Sequence, residues 1–240
     1  MSQGMLQNRL LMFLVCMSFF GVLLSMLFAF FPHSLHEDFV LRKPIVGSVF
    51  GLICVFGVLA AFFPKQCANL LDFGKGKGRA LHGDFAGAGG HHPSCENFSP
   101  HVFEIGNRRF CVACTGLTMG GLLTLVGIFL YFFTDWYVEQ NSVLVVLIGL
   151  LGVSLGLFQF RAKQHLVRFS LNVFFVLGSF LVLIGVDGLA QSVFVDFFLV
   201  ALIVFWLFTR VLISQWDHER ICAACGVVLC EFRKMRSRVR

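Results

Sequence analysis

Cysteine and histidine residues are concentrated in residues 91–116 and in a second short segment close to the basic end of the chain. The first stretch ends in a Cys-x-x-Cys pair, Cys111 and Cys114, placed where the third apolar helix is predicted to begin. The second segment carries another such pair, Cys222 and Cys225. Thiolate and imidazole groups are the ligands that zinc prefers in closed, structural sites. The spacing therefore predicts a Zn²⁺ centre.

These side chains allow more than one allocation of ligands. In the first, the two Cys-x-x-Cys pairs close a single four-cysteine site, the second pair having the form of a zinc knuckle. In the second, each segment builds its own site, one from His92, Cys95, Cys111 and Cys114, the other from His218, Cys222, Cys225 and Cys230. A binuclear centre is the third arrangement. The candidate metal ligands are His91, His92, Cys95, His101, Cys111, Cys114, Cys222 and Cys225.

Other chemistry could use the same sulfur atoms. An iron–sulfur cluster also takes four cysteines. A thiol oxidoreductase motif normally opens a helix of a βαβ domain, and the sequence contains no strand-rich region to build one. A catalytic zinc needs an open coordination position and a base, and Glu96 and Glu104 lie among the candidate ligands. Structural zinc, catalytic zinc and an iron–sulfur cluster are therefore the interpretations to compare.

The rest of the chain has the composition of a membrane protein. Its 240 residues are 58% hydrophobic and 13% charged, with a mean hydropathy of +0.84, whereas soluble domains are about 45–50% apolar and about 25% charged. Six apolar runs are long enough to cross about 30 Å of hydrocarbon, which takes roughly 17–25 residues. These runs are at about Leu10–Phe31, Ile45–Phe63, Leu117–Phe133, Val143–Phe160, Phe169–Val186 and Val195–Ile213.

The distribution of positive charge gives this membrane protein an orientation. With the N-terminus in the cytoplasm, every Lys and Arg except Arg42 and Lys43 falls on the cytoplasmic side, as the positive-inside rule requires. Four spans separate Cys114 from Cys222, so both Cys-rich segments are then cytoplasmic and can meet. If they do face the reducing cytoplasm, a disulfide between the cysteines is disfavoured.

The sequence thus predicts an all-α membrane protein, a six-transmembrane-helix bundle with a cytoplasmic Cys/His metal-binding loop. It is expected in the cell membrane as a multi-pass protein with both termini in the cytoplasm. Its predicted parts are two helices in residues 1–63, the loop 64–114, four helices in 115–213 and a basic tail 214–240. The first helix is expected to be retained, because its apolar run is too long for a signal peptide and no small-residue cleavage site follows.

Charged residues are sparse within the predicted spans. Asp196 lies near an outer end, and the side chain of Arg210 is expected to extend towards the inner surface. Ion-coupled transporters usually place carboxylates or histidines deep in the bilayer. The pattern therefore argues against a transporter of charged substrates and leaves open a channel or a carrier of uncharged or lipid cargo.

The basic tail predicts an interaction with the membrane surface. Basic residues next to a membrane helix attract anionic lipid head groups by about 1 kcal/mol per charge near the surface. Nucleic-acid binding is not expected, because no aromatic side chains alternate with these basic residues. The basic residues of the tail are Arg233, Lys234, Arg236, Arg238 and Arg240.

The first Cys/His stretch resembles the signature of a family of uncharacterised integral membrane proteins of bacteria and archaea. In those proteins a Cys/His segment precedes Cys-x-x-Cys-Thr-Gly at a helix start. The resemblance covers roughly residues 91–121, and the second Cys-x-x-Cys pair is not part of its motif. The family has no established activity to transfer. The matching residues are His91, His92, Cys95, His101, Gly106, Cys111, Cys114, Thr115 and Gly116.

The function expected from the sequence is a docking or scaffold module, whose structural zinc site orders a cytoplasmic surface for a protein partner. One alternative is a membrane-bound zinc-dependent enzyme acting at the cytoplasmic lipid interface. The other is a transporter or channel for uncharged or lipid cargo. Whether the protein is an enzyme is not decided by these residues.

Overall fold

A computed structural model of the chain describes residues 2–31, 41–62, 101–105, 108–134 and 141–224. Within these residues the fold is a bundle of six α-helices with a small two-stranded antiparallel sheet. The helices are α1 (Ser2–Phe30), α2 (Arg42–Phe62), α3 (Val112–Ile128), α4 (Ser142–Leu157), α5 (His165–Ala190) and α6 (Val193–Ala224). The strands, β1 (Val102–Ile105) and β2 (Arg108–Cys111), lie between α2 and α3.

Five of the six helices are long and apolar enough to cross a membrane. The sixth, α4, is a shorter apolar helix of 16 residues, which is about 24 Å at 1.5 Å per residue. It is followed by a 3₁₀ turn, Gln159–Arg161. The predicted helical multi-pass architecture is therefore confirmed with five candidate spans, and α4, predicted as the fourth span, is shorter than the sequence indicates.

Two segments near the Cys-x-x-Cys pairs differ from their predicted form. The helix predicted to end near Ile213 continues to Ala224, so Cys222 lies in helical backbone and not in a knuckle turn. Residues beyond Ile213 make polar contacts, among them the hydrogen bond from Trp216 to Asn8 at 2.9 Å, which hydropathy alone does not indicate. The predicted loop ends in a β-hairpin, paired from Val102 opposite Cys111 to Ile105 opposite Arg108.

Helices α4 and α5 approach each other closely along a line of glycines. An added methyl group at Gly149 would lie 2.6 Å from the carbonyl oxygen of Gly178, and one at Gly152 would lie 2.7 Å from that of Phe174. In lipid, small residues let helix backbones pack where no hydrophobic force drives them together. This contact fixes the position of α5, which carries polar residues at both of its ends.

Substituting Gly152 with alanine should destabilise the bundle, because the new methyl group would press on backbone that cannot move aside. The expected loss is about 1–3 kcal/mol, as for other overpacked cores, measured as a lower unfolding temperature in detergent. The matched control is Gly57→Ala in α2, where nothing lies within 4 Å of the added methyl group. This control should be neutral or stabilising by up to about 1 kcal/mol. Equal effects of the two substitutions would contradict the packing described.

The end of α3 changes to a π-helical turn, Phe129–Phe133. Such a turn holds an extra residue and alters which side chains face the interior. The neighbouring residues Tyr131 and Phe132 are both buried as a result. Phe132 packs against Gly47 of α2, while the Tyr131 hydroxyl reaches α5.

Helices α5 and α6 are joined by only two residues, Gln191 and Ser192. Gln191 has a left-handed backbone with φ of 48°, and its N–H donates to the carbonyl oxygen of Asp187 at 3.1 Å. A left-handed residue of this kind is a common way to end a helix. The short connection makes α5 and α6 antiparallel neighbours.

Polar side chains gather at the two opposite ends of the bundle. We call the end that holds Cys111 the thiol end, and the end that holds Arg42 the carboxylate end. The start of α1 and the last turns of α6 both lie at the thiol end, because Trp216 Nε1 donates to Asn8 Oδ1 at 2.9 Å. The described part of α1 therefore begins at the same end of the bundle at which the described part of α6 ends.

Candidate functional site

The first Cys-x-x-Cys pair lies at the junction between β2 and α3. Cys111 is the N-cap residue of α3, and Cys114 lies in the first turn of the helix, as the sequence predicts. Neither cysteine forms a disulfide; Cys111 is buried and Cys114 is partly buried. The positive end of a helix dipole favours the thiolate over the thiol. The local fold is therefore suited to holding two deprotonated sulfur atoms.

Two buried arginines face this pair of thiols. Arg210 of α6 is 4% exposed and Arg168 of α5 is 7% exposed. Cys111 and Cys114 lie within electrostatic range of the Arg210 guanidinium, and Cys111 also lies within range of Arg168. A buried positive charge needs a nearby negative charge. Arg168 has the carboxylate of Asp217 at 3.7 Å, and the two sulfur atoms can supply the negative charge for Arg210 when they are deprotonated.

Neutral amide groups hold Arg210 in place. Its Nη2 donates to Oε1 of Gln159 at 3.0 Å and to Oδ1 of Asn172. The Nε atoms of Arg210 and Arg168 are buried and have no hydrogen-bond partner. The side chain of Arg210 does not reach solvent, because these amides give it a polar position inside the bundle. Its expected extension towards the inner surface stays a prediction.

The hairpin is attached to the last turns of α6 through His101. The imidazole Nδ1 of His101 lies 2.6 Å from Nη1 of Arg168, and its ring packs edge-on against His218 at 5.2 Å between centroids. Arg168 also lies 3.7 Å from the carboxylate of Asp217, which pairs with Arg220 at 3.1 Å. The thiol cluster, defined as Cys111, Cys114, His101, Arg168 and Arg210, thus connects the hairpin, α3, α5 and α6.

The predicted metal ligands fall partly within the described residues. Cys111, Cys114 and His101 all lie at the thiol end, whereas Cys222 is placed by its backbone alone, in the last turn of α6. Among the described residues, no three His, Cys, Asp or Glu side chains are grouped closely enough to hold a metal ion. The predicted ligands that lie outside the described residues are His91, His92, Cys95 and Cys225.

A second polar cluster, at the carboxylate end, is not predicted by the sequence analysis. Asp187 of α5 and Asp196 of α6 are both fully buried. One atom of Arg42, Nη1, donates to both carboxylates, at 2.5 Å to Asp187 Oδ1 and 2.8 Å to Asp196 Oδ2. The Tyr131 hydroxyl donates to Asp187 Oδ2 at 2.7 Å. We call these four residues the carboxylate cluster.

A signal for this cluster is present in the charge pattern. Arg42 is one of only two basic residues on the predicted outer side, and it begins a helix, where the dipole disfavours a positive charge. A cation in such a position needs an acidic partner. Asp187 and Asp196 are on the same predicted side, but only the folded chain shows that they contact Arg42.

Comparison of the chain with models of protein families, with curated protein sequences and with solved structures finds no match. The fold nevertheless defines a class, that of helical multi-pass membrane proteins. In the described part of the chain, buried charged side chains form a cluster at each end of the bundle. The resemblance to a family of uncharacterised membrane proteins stays a prediction.

Proposed function

We propose that the protein is a membrane-embedded docking module whose thiol end carries a structural zinc centre that includes Cys111 and Cys114. The observation that carries this proposal is the position of two buried arginines beside the two thiols. A guanidinium held by neutral amides, as Arg210 is, is stabilised by a nearby anion. A zinc ion with four thiolate ligands has a net charge of about −2 by ligand count and meets this need.

The remaining ligands are proposed to come from the C-terminal Cys-x-x-Cys pair. The contact between His101 and His218 brings the last turns of α6 beside the hairpin that leads to Cys111. Position 222 is four residues after His218, one turn further along the same face of the helix. This arrangement favours the single shared site over two separate sites. In the separate arrangement, His92 and Cys95 would complete the first site.

The thiol end is proposed to face the cytoplasm. The positive-inside pattern supports this orientation, and the reducing cytoplasm would keep the thiols available for a metal. The contact between Asn8 and Trp216 agrees with termini on one side of the membrane. The metal centre would then fix the start of the basic tail, which would bind anionic lipid and leave an ordered surface for a cytoplasmic protein partner.

Elemental analysis of the purified full-length protein tests the metal centre. The shared site requires one zinc ion per chain, which should be lost in Cys111→Ser and in the double variant Cys222→Ser with Cys225→Ser. The matched control is Cys16→Ser in α1, because Cys16 is an exposed thiol in a predicted membrane span. This control should keep its zinc.

Three other results of the elemental analysis would change the assignment of the metal centre. Zinc that persists in the double variant would exclude the tail from the site. Iron with inorganic sulfide in place of zinc would identify an iron–sulfur cluster. Wild-type protein that contains neither metal would overturn the proposed centre.

A further inference from the structure

The carboxylate cluster lies at the opposite end of the bundle from the proposed metal centre and shares no residue with it. We propose that it is a proton-binding site, in which Asp187 and Asp196 hold one proton between their carboxyl groups. The ligand is the proton itself, and the site includes Arg42 and Tyr131 as fixed partners. The inference does not depend on the proposed zinc centre.

The geometry leaves one atom without a partner. Arg42 Nη1 bonds one oxygen of each carboxyl group, so these two oxygens lie only a few ångströms apart. The second oxygen of Asp187 accepts the Tyr131 hydroxyl. The second oxygen of Asp196, Oδ1, is buried without any hydrogen-bond partner. Buried acceptors of this kind are rare and need an explanation.

A proton on the pair provides that explanation. The two carboxyl groups share one nitrogen atom of Arg42 as a donor, which brings them close together, and a hydrogen bond between them exists only if one of them carries a proton. Two carboxylates without a proton would present acceptors to each other and repel. When the pair holds one proton, the protonated carboxyl group donates a hydrogen bond to the other. The repulsion between two negatively charged carboxylates then disappears.

The other described groups around the pair do not replace the proton. Lys43, next to Arg42 in α2, lies over the Tyr131 ring at 5.0 Å from Nζ to the ring centroid. Helix α4 contributes the neutral Ser142 to this end, and α1 has no charged side chain between Leu10 and Phe31. Residues 32–40 lie outside the described part of the chain.

A metal cation fits this cluster less well than a proton. The Arg42 guanidinium already occupies the position between the two carboxylates, so a metal ion there would meet a fixed positive charge at close range. A proton needs no coordination shell and fits between two oxygen atoms. Its release would leave two repelling anions where α2, α5 and α6 meet, so proton occupancy and the packing of this end are linked.

Infrared difference spectroscopy of the full-length protein in lipid nanodiscs tests the proposal. At about pH 7 ordinary Asp and Glu side chains are ionised, so a protonated-carboxyl C=O band that shifts in D₂O reports a buried acid. Wild-type protein should show this band, and both Asp187→Asn and Asp196→Asn should lose it. The matched control, Asp217→Asn at the thiol end, should keep it.

Asp196→Asn is the decisive variant, because asparagine keeps the acceptor for Arg42 and carries an N–H where the proton would be. It should fold with an unfolding temperature close to that of the wild type, even if Asp187→Asn does not. Three results would overturn the proposal. These are no band in the wild type, a band that survives in Asp196→Asn, and a band abolished when sodium replaces choline in the buffer.

Discussion

Arg42→Met is expected to destabilise the protein by about 3–5 kcal/mol, the usual cost of removing one partner of a buried ion pair. Methionine preserves most of the length and apolar contact of the arginine side chain, so the loss reports the missing charge. Asp187 and Asp196 would be left facing each other without the guanidinium that bonds both. The free energy of unfolding is measured in mixed detergent, with circular dichroism as the signal of unfolding.

Two further variants separate charge imbalance from lost packing. Arg42→Met combined with Asp187→Asn and Asp196→Asn replaces the guanidinium and both acids with neutral groups and should recover most of the stability, because no unpaired ion remains. Arg161→Met removes an exposed arginine and should change stability by less than about 0.5 kcal/mol. A triple variant as unstable as Arg42→Met would show that packing, and not charge, explains the loss.

Arg210→Met should have the second large effect, on stability and on metal binding together. Gln159 and Asn172 would lose their buried donor, at about 1–3 kcal/mol for each unsatisfied acceptor. If Cys111 and Cys114 bind zinc, the loss of the neighbouring cation should also weaken zinc binding by about 10–100-fold. Chelator competition on purified protein measures this change. Arg210→Lys should be intermediate, because lysine keeps the charge but not the forked geometry.

Arg220→Met is the control for this prediction. Arg220 is also near the thiol end, but its side chain is 57% exposed and it pairs with Asp217 at 3.1 Å. Asp217 is buried but keeps Arg168 at 3.7 Å. The solvent-exposed Arg220 guanidinium should contribute only about 0–1 kcal/mol, so both stability and zinc affinity should be nearly unchanged. An Arg210→Met protein that behaves like Arg220→Met would exclude Arg210 from the proposed centre.

The sequence predicts the membrane-spanning helices, because their formation depends on the apolar environment of the bilayer. Backbone polar groups must be satisfied within each span, so long apolar runs become helices, and five of the predicted spans are confirmed. The start of α3 at the first Cys-x-x-Cys pair is also predicted correctly, since Cys111 is its N-cap residue. Both results follow from local composition.

The clusters depend on contacts that local composition does not contain. Arg42 is separated from Asp187 by 145 residues and from Asp196 by 154. Counting charges assigns each residue to one side of the membrane but does not show which residues form ion pairs. Arg210 lies in an apolar run, where the usual expectation is a side chain that extends to the surface. Its true position depends on Gln159 and Asn172, which come from two other helices.

The two-residue connection between α5 and α6 has a consequence for biogenesis. Asp187 and Asp196 lie on opposite sides of this connection, so both acids are delivered to the membrane together as one helical hairpin. An aspartate costs about 2.5–3.5 kcal/mol at the centre of a helix during translocon-mediated insertion, and less near a helix end, where Asp187 and Asp196 lie. Synthesis proceeds from the N-terminus, and Arg42 in α2 therefore leaves the ribosome long before the acids do. The order of elements along the chain ensures that their counter-charge precedes them into the bilayer.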